Sequence, residues 1–583
     1  MNEKPKSILK RQFHVPRLIL TWTLYTVLIV LVLVIAGAVL NDEPAKWFGG
    51  FAPFWIFSIV GGGILLGIVC FIRWVWCWRN CKRTLFGLAC LFTLIALFYA
   101  EEDFRGQRAW NNFKQEWEAK GERFDLASFI PPPVPDEQNF AMTPLLRPIY
   151  DFDQTTNGVR WRDTNGIAHL DKIGIWASDV KIEKAPNLAG LEQEKLTDLA
   201  AWQKYYQSST NFPQSTISGT AAQDILVALG KFDVEMSELR DAATARPASR
   251  FPIHYGDEPP FGILLPHLGR MKGLCQLFLL RSIALMELGR GEESLTDVQM
   301  AFRLSDSIHD EPFLIDHLVR IAALSISLQG VREGLARHVW NDAQLARLEK
   351  YLGTLDILAE ARNNRRGERS LNLAGLEYYR RVGFRGPPDE TVFSGDDGGV
   401  QNSPSFLRGF RVFPSGFSYQ NMLTIARLHQ EFTLGAIDEK QHRVFPDIAN
   451  GLTNAIGRMR ITPYNLFGKM LMPAFAHSSM KSARSQTFVD EALVACALER
   501  HRLAHGQLPD TLTALVPQFL EKIPTDVIDG QPLRYRKNAD GSYLLYSIGW
   551  NQKDDGGTRV MTKGATPSVD EKQSDWVWEL PAK

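Results

Sequence analysis

The chain has 583 residues, with Lys plus Arg and Asp plus Glu both at 65, so its formal net charge is zero. That balance argues against nucleic acid as the main partner, because phosphate binding needs an uncompensated basic surface. Six cysteines are too few for a disulfide framework at this length. Cys70, Cys77, Cys81 and Cys90 lie in or beside the apolar N-terminal region, and Cys275 and Cys496 read as buried thiols in helices.

After a basic tail at 1–17, three apolar runs follow at 18–40, 51–72 and 84–100. A bilayer takes about 20 such residues, so 18–100 reads as three transmembrane helices. Lys4, Lys6, Lys10, Arg11 and Arg17 precede the first run. Arg73, Arg79, Lys82 and Arg83 fill the second loop, whereas Asp42, Glu43, Glu101, Glu102 and Asp103 mark the other side. The positive-inside rule then places the N-terminus in the cytoplasm and everything after residue 100 outside it. Trp74, Trp76 and Trp78 between those arginines are interface anchors. Gly63 and Gly67 form a GxxxG pair that suits either a dimer seam or packing among the chain's own spans.

A neck and Pro-rich linker occupy 101–147, with "IPPPVPDEQ" as an extended spacer. Residues 148–220 form a short irregular or β segment, in which "TTNG" and "DTNG" signal a hairpin or two. A helical body covers 221–465, interrupted by a Gly/Pro-rich loop at 383–416. Leu295, Val298, Met300, Ala301 and Phe302 mark one apolar helix face. In "ALMELGRGEESLTDVQMAFRL" one helix ends at Gly289 and the next starts with Glu292 and Glu293. That turn resembles a tetratricopeptide repeat, so the body reads as helical hairpins of repeat-like character.

No HExxH, GxSxG or P-loop pattern occurs in the sequence, and no catalytic set is assigned. His309, Asp310 and His317 are the metal candidates of a hydrolase reading, set against Asp310-Glu311-Pro312 as a plain helix start. His501 and His505 lie four apart on a helix, with His505 at its C-terminus. The cluster "RNNRRGER" at 362–369 reads as a solvated helix face or a contact for an acidic partner.

At 466–560 a long helix to about Ala504 stops at Gly506. "LPDTLTALVPQFL" forms a short helix, and "PLRYR" and "SYLLYSI" pair as a hairpin across "KNADG". Gly506, Pro509, Leu512, Leu515, Ile523-Pro524, Asp526, Gly530-Gln531-Pro532, Tyr535 and "LYSIG" together resemble the globular part of the major pseudopilin of type II secretion. The resemblance implies an α+β head in which "NQKDDGG" is a calcium loop, with Asn551, Asp554 and Asp555 as ligands and Asp570 or Asp575 returning later. A solvated acidic turn is the alternative reading of the same residues. A pseudopilin carries this helix at its N-terminus behind a hydrophobic stem. Here it lies deep in the chain, so filament assembly by that route is not expected. The remainder, 561–583, reads as a tail. The whole chain also resembles bacterial multi-span membrane proteins with a large extracytoplasmic region, on segments such as "EDFRGQRAW" and "QNMLTIARLHQE".

The fold class expected is thus mainly α and membrane-anchored, with a helical-hairpin body and a pseudopilin-like α+β module. The expected function is non-enzymatic: a multi-pass protein of the bacterial inner membrane whose outer part binds other proteins in a secretion or envelope assembly, with self-association as a further option. The alternatives are an extracytoplasmic metal-dependent hydrolase and a structural envelope protein.

Overall fold

The computed structural model describes residues 15–580 apart from 41–42, 49, 77, 156–157, 182–184, 189, 192–195, 217–218, 383–412, 540 and 564–567. It is mainly helical, in two compact units, Met1–Glu101 and Glu102–Lys583. Most of the loop expected at 383–416, and Asp540 of the expected hairpin turn, lie outside the described residues.

In the first unit, α1 (Val15–Leu40) packs against α2 (Phe51–Val75), and α3 begins at Trp78 and runs to Ala119. All three are long and apolar enough to cross a membrane, and their apolar side chains are largely exposed. The close approach of α1 and α2 is made at Gly62, where a Cβ would lie 2.2 Å from Thr26 Oγ1. Of the GxxxG pair only Gly63 faces α1, with a Cβ there 3.4 Å from Trp22 Nε1, whereas a Cβ on Gly67 would meet nothing within 4 Å.

In the second unit the neck part of α3 docks through Trp110 and Phe113 into a core with Phe124, Met422, Phe467 and Phe475. The Pro-rich segment is not a free spacer. Phe140 N–H donates to Ala248 O at 2.8 Å, and the Asn139 side chain donates to Arg250 O at 2.8 Å, so its end is fastened to the body.

One hairpin forms at 152–161, with β1 (Phe152–Thr155) antiparallel to β2 (Gly158–Trp161). The second turn signal becomes a helix start instead. Asp163 caps α4 (Thr164–Leu170) by accepting from Gly166 N–H at 2.8 Å, which satisfies a donor the first helical turn leaves open. Helices α5 (Leu199–Gln207), α6 (Ala221–Leu229) and α7 (Asp233–Ala245) lead into the body.

There α8 (His267–Glu287) and α9 (Gly291–Asp306) form the expected helical hairpin, turning at Gly289 with φ +71°, a conformation that favours glycine. The apolar face named on α9 is buried. Next come α10 (Leu314–Arg337), α11 (Asp342–Leu352) and α12 (Ile357–Val382). Helix α10 is also long and apolar enough to span a membrane, yet most of its apolar window is buried in this unit. It carries Asp316, Arg320, Arg332 and Glu333 inside the fold.

Helix α13 (Ser415–Leu428) relaxes into a π turn at His429–Leu434 and then a two-residue hairpin, β3 (Ile437–Asp438) with β4 (Arg443–Val444). Asp438 accepts from Lys440 and Gln441 N–H, closing a side-chain turn of the kind that competes with helix. The helical stretch that follows the 383–416 loop therefore stops at Leu434. Helices α14 (Pro446–Arg458) and α15 (Leu466–Leu471) precede α16 (Ser478–His505), which Gly506 caps with φ +76°.

Beyond it, β5 (Arg534–Lys537), β6 (Tyr543–Ser547) and β7 (Trp576–Glu579) form a three-stranded antiparallel sheet. The segment 561–583, expected as a tail, thus supplies the third strand. Its cause is burial, since Trp576 and Trp578 are among the largest fully buried side chains of the protein. Tyr543, Leu545 and Trp578 face α16, while Leu544, Tyr546 and Val577 form a small outer cluster.

Candidate functional site

The acidic loop after β6 was expected to gather oxygens. Asn551 Nδ2 donates to Asp555 Oδ2 at 2.9 Å, and Asn551 Oδ1 accepts from Lys553 N–H at 3.0 Å. Asp554 Oδ1 accepts from the Tyr546 hydroxyl and from Gly556 N–H, at 3.0 and 3.1 Å. Asp575, buried, takes Gly557 N–H at 2.7 Å. Asp570 takes Lys572 N–H at 3.0 Å. A Cβ on Gly557 would lie 2.4 Å from Leu544 Cδ2, so the loop closes tightly over the outer face of the sheet. Calcium takes six to eight oxygen ligands, and here the named oxygens largely serve hydrogen bonds of the loop itself. The donor set fits a closed turn better than a calcium cradle.

The hydrolase candidates separate. His309 Nε2 lies 3.1 Å from Asp310 Oδ1, and its Nδ1 donates to Asp306 O at 2.7 Å. The Asp310 hydrogen bond holds His309 above the usual histidine range, against burial, and holds Asp310 below the carboxylate range. Both line a cavity of about 390 Å³ walled by Pro131, Pro132 and Arg320. In that wall Arg320, almost fully buried, lies 2.8 Å from Asp306, and the Tyr351 hydroxyl donates to the other Asp306 oxygen at 2.6 Å. His317 is elsewhere, buried with Nε2 2.9 Å from Ser482 Oγ. Among the described residues no three His, Cys, Asp or Glu side chains gather as a metal set. The His501 and His505 rings stack with centroids 4.2 Å apart, and their Nδ1 atoms are bonded to backbone carbonyls.

The arginine cluster at 362–369 is largely interior. Arg365 and Arg369 are buried, and Glu122 bridges Arg366 at 3.0 Å and Arg369 at 2.9 Å. The acidic partner anticipated for it therefore lies in this chain's own neck.

Two groupings escaped sequence reading. The first is an enclosed chain: the Tyr150 hydroxyl lies 2.7 Å from His267 Nδ1, and His267 Nε2 lies 2.8 Å from Glu311 Oε2. Burial keeps His267 neutral, down to about 3, and raises Glu311. These residues join distant segments of the body, and no local pattern links them.

The second is a cavity of about 750 Å³ between α11, α16 and the segment 519–525, lined by Glu349, Leu355, Gln486, Asp490, Leu493 and Phe519 among others. Its size falls within the range of about 300–1,000 Å³ typical of small-molecule sites. Burial pushes Asp490 up to about 8 and Glu349 up to about 7. Strongly raised carboxyls facing a cleft mark a functional-site candidate. A signal for it did exist: Asp490-Glu491 is an acidic pair inside the otherwise apolar stretch "TFVDEALVACAL" of a helix.

No protein-family model, curated protein or solved structure matches this chain.

Proposed function

We propose that this chain is a non-enzymatic, multi-pass protein of the bacterial inner membrane whose residues after 100 lie outside the cytoplasm and bind other proteins. The observation that carries the reading is the contrast between the two units. In Met1–Glu101 three helices leave their apolar side chains exposed, as lipid-facing helices do. In Glu102–Lys583 the apolar side chains are buried in a mainly helical body that also encloses ion pairs such as Arg320–Asp306 and Arg369–Glu122. The order of α16, a short turn at Leu512–Leu515 and three antiparallel strands supports a pseudopilin-like head. A link to a secretion or envelope assembly follows from that likeness. The hydrolase alternative retains only the His309–Asp310 pair in its cavity.

Orientation is tested by labelling with a membrane-impermeant maleimide. Val234→Cys in the body, at an exposed position, is expected to react in cells whose outer membrane alone is permeabilised. Trp76→Cys, exposed in the second loop, is expected to react only after the inner membrane is opened, both variants being made in a chain whose own six cysteines are replaced by serine. The reverse pattern would overturn the proposed topology.

A further inference from the structure

The cavity between α11, α16 and the segment 519–525 holds one acid that is both inward and uncommitted. Glu349 is not that acid, because Arg500 Nη1 donates to its Oε2 and its Oε1 is sealed inside the protein. Arg500 is engaged as well, since its Nε donates to Asp342 at 2.8 Å. Lys350, Asp356, Glu521 and Lys522 are exposed at the rim.

On α16, Gln486, Asp490 and Leu493 all line the cavity, at spacings that place them on one helix face. Gln486 Nε2 donates to Asp490 Oδ1 at 3.0 Å, and Gln486 Oε1 accepts from Ile357 N–H at 2.8 Å at the start of α12. The amide is fixed at both ends and in turn fixes the carboxyl. Asp490 Oδ2 carries no hydrogen bond, and on this half-buried residue of the cavity wall it is not sealed from solvent. Among the described residues no Lys, Arg or His forms an ion pair with Asp490. Beside it the wall is hydrocarbon, where Leu355, Leu493, Ile523 and Pro524 are only half-buried.

A preset carboxyl oxygen next to an apolar wall, in a space of about 750 Å³, complements a molecule with one ammonium group on a hydrocarbon body. A neutral molecule gains an ordinary hydrogen bond at Asp490, whereas an ammonium gains a stronger, charge-assisted one. We infer that this cavity binds an aliphatic monoamine, with its ammonium on Asp490 Oδ2 and its stem along Leu355, Leu493 and Ile523. The inference goes beyond the protein-binding reading and stands independently of the membrane topology.

Binding couples to protons. Burial raises Asp490 to about 8, with Asp356 and Asp526 adding to the shift and Gln486 and Lys522 opposing it. His442 also lines the cavity, and Glu491 follows on α16 with both its oxygens sealed. At neutral pH the empty carboxyl is therefore largely protonated, and an arriving ammonium favours the ionised form. Affinity should rise with pH through about 8 and fall only where alkylamines lose their charge, near the lysine value of about 10.4.

The test is calorimetric titration of the full-length protein in detergent with hexylamine, hexanol, hexanoate and ethylamine. Each is referred to the same titration of Leu493→Trp, which fills the cavity and reports partition into detergent alone. At pH 9 hexylamine is expected to bind about tenfold tighter than hexanol, the equivalent of one charge-assisted contact. Ethylamine should bind at least about tenfold more weakly than hexylamine for want of a stem, and hexanoate should not bind. At pH 6 the preference of the wild type for amine over alcohol should largely vanish. In Asp490→Asn it should vanish at both pH values, with hexanol binding kept. The wild-type pH series decides the matter even where a variant melts differently. Equal affinity for hexylamine and hexanol at pH 9 would overturn the proposal, as would a preference that survives Asp490→Asn or binding that survives Leu493→Trp. Lys522→Gln should change hexylamine affinity by less than about threefold, as suits an exposed rim charge. A gain of more than about tenfold there would show that Lys522 itself occupies Asp490, and would overturn it too.

Discussion

Gly416→Val is expected to destabilise the Glu102–Lys583 unit by about 3 kcal/mol or more, at or above the upper end of ordinary overpacking. Gly416 lies in the first turn of α13 against the neck part of α3. A Cβ there would lie 2.1 Å from Glu102 O, and a Cβ on the facing Gly106 would lie 2.5 Å from Gly416 O. Both obstacles are main chain, so no rotamer change relieves them. Separating the segments would also strain the bond from Gly416 N–H to Asp103 Oδ1 at 2.7 Å. Gly269→Val on α8 is the control, because a Cβ there meets nothing within 4 Å. Its effect should stay within about 1 kcal/mol, on the side of stabilisation that helix propensity favours. Thermal melts of the two variants check this. Equal melting points would show that the glycine crossing does not hold the neck.

Arg369→Met should have the second large effect, about 3–5 kcal/mol, the cost typical of removing one partner of a buried ion pair. Arg369 is fully buried, 2.9 Å from Glu122, and donates to Gln430 and to the Arg123 carbonyl as well. Its guanidinium also lies 4.3 Å over the Phe124 ring. Burial alone would raise Glu122, but the hydrogen bond from Arg366 and the charge of Arg369 outweigh it and leave Glu122 below the usual carboxylate range. A carboxylate lowered in the folded state contributes stability above its ordinary value, and that stability is lost as pH falls through the folded value. Removing Arg369 takes away part of that contribution. The deficit of Arg369→Met should therefore be largest near pH 7 and shrink on acidification below the ordinary carboxylate range. A deficit independent of pH would assign Arg369 a packing role only.

Much of the helical layout was legible because period and punctuation are local. The α8–α9 hairpin is written in the apolar face of α9 and in Gly289, and the stop of α16 in Gly506. What was not legible depended on partners far away in the chain. "RNNRRGER" has the composition of a wet face, and only Glu122, remote in sequence, makes it an interior one. "DWVWEL" carried the alternation of a strand, but its partner β6 lies beyond a long excursion, so it read as a tail. "DTNG" matches a hairpin turn and a helix cap equally well, and the Asp163 hydrogen bond decided between them. At the candidate site the acidic loop was visible and its hydrogen bonds were not. The cavity lined by Glu349 and Asp490 was hidden because α11, α16 and the 519–525 segment meet only in the folded chain.

The most direct measurement is crosslinking of the tagged full-length protein from outside the inner membrane. A membrane-impermeant reagent would be added to spheroplasts of its own host, followed by purification and identification of the joined species. The account predicts a discrete product containing this chain and a second, reproducible extracytoplasmic protein, diminished when the head is disrupted by Trp578→Ala. Recovery of the chain alone, or joined only to copies of itself, would contradict a protein-binding role and leave a structural envelope protein in its place.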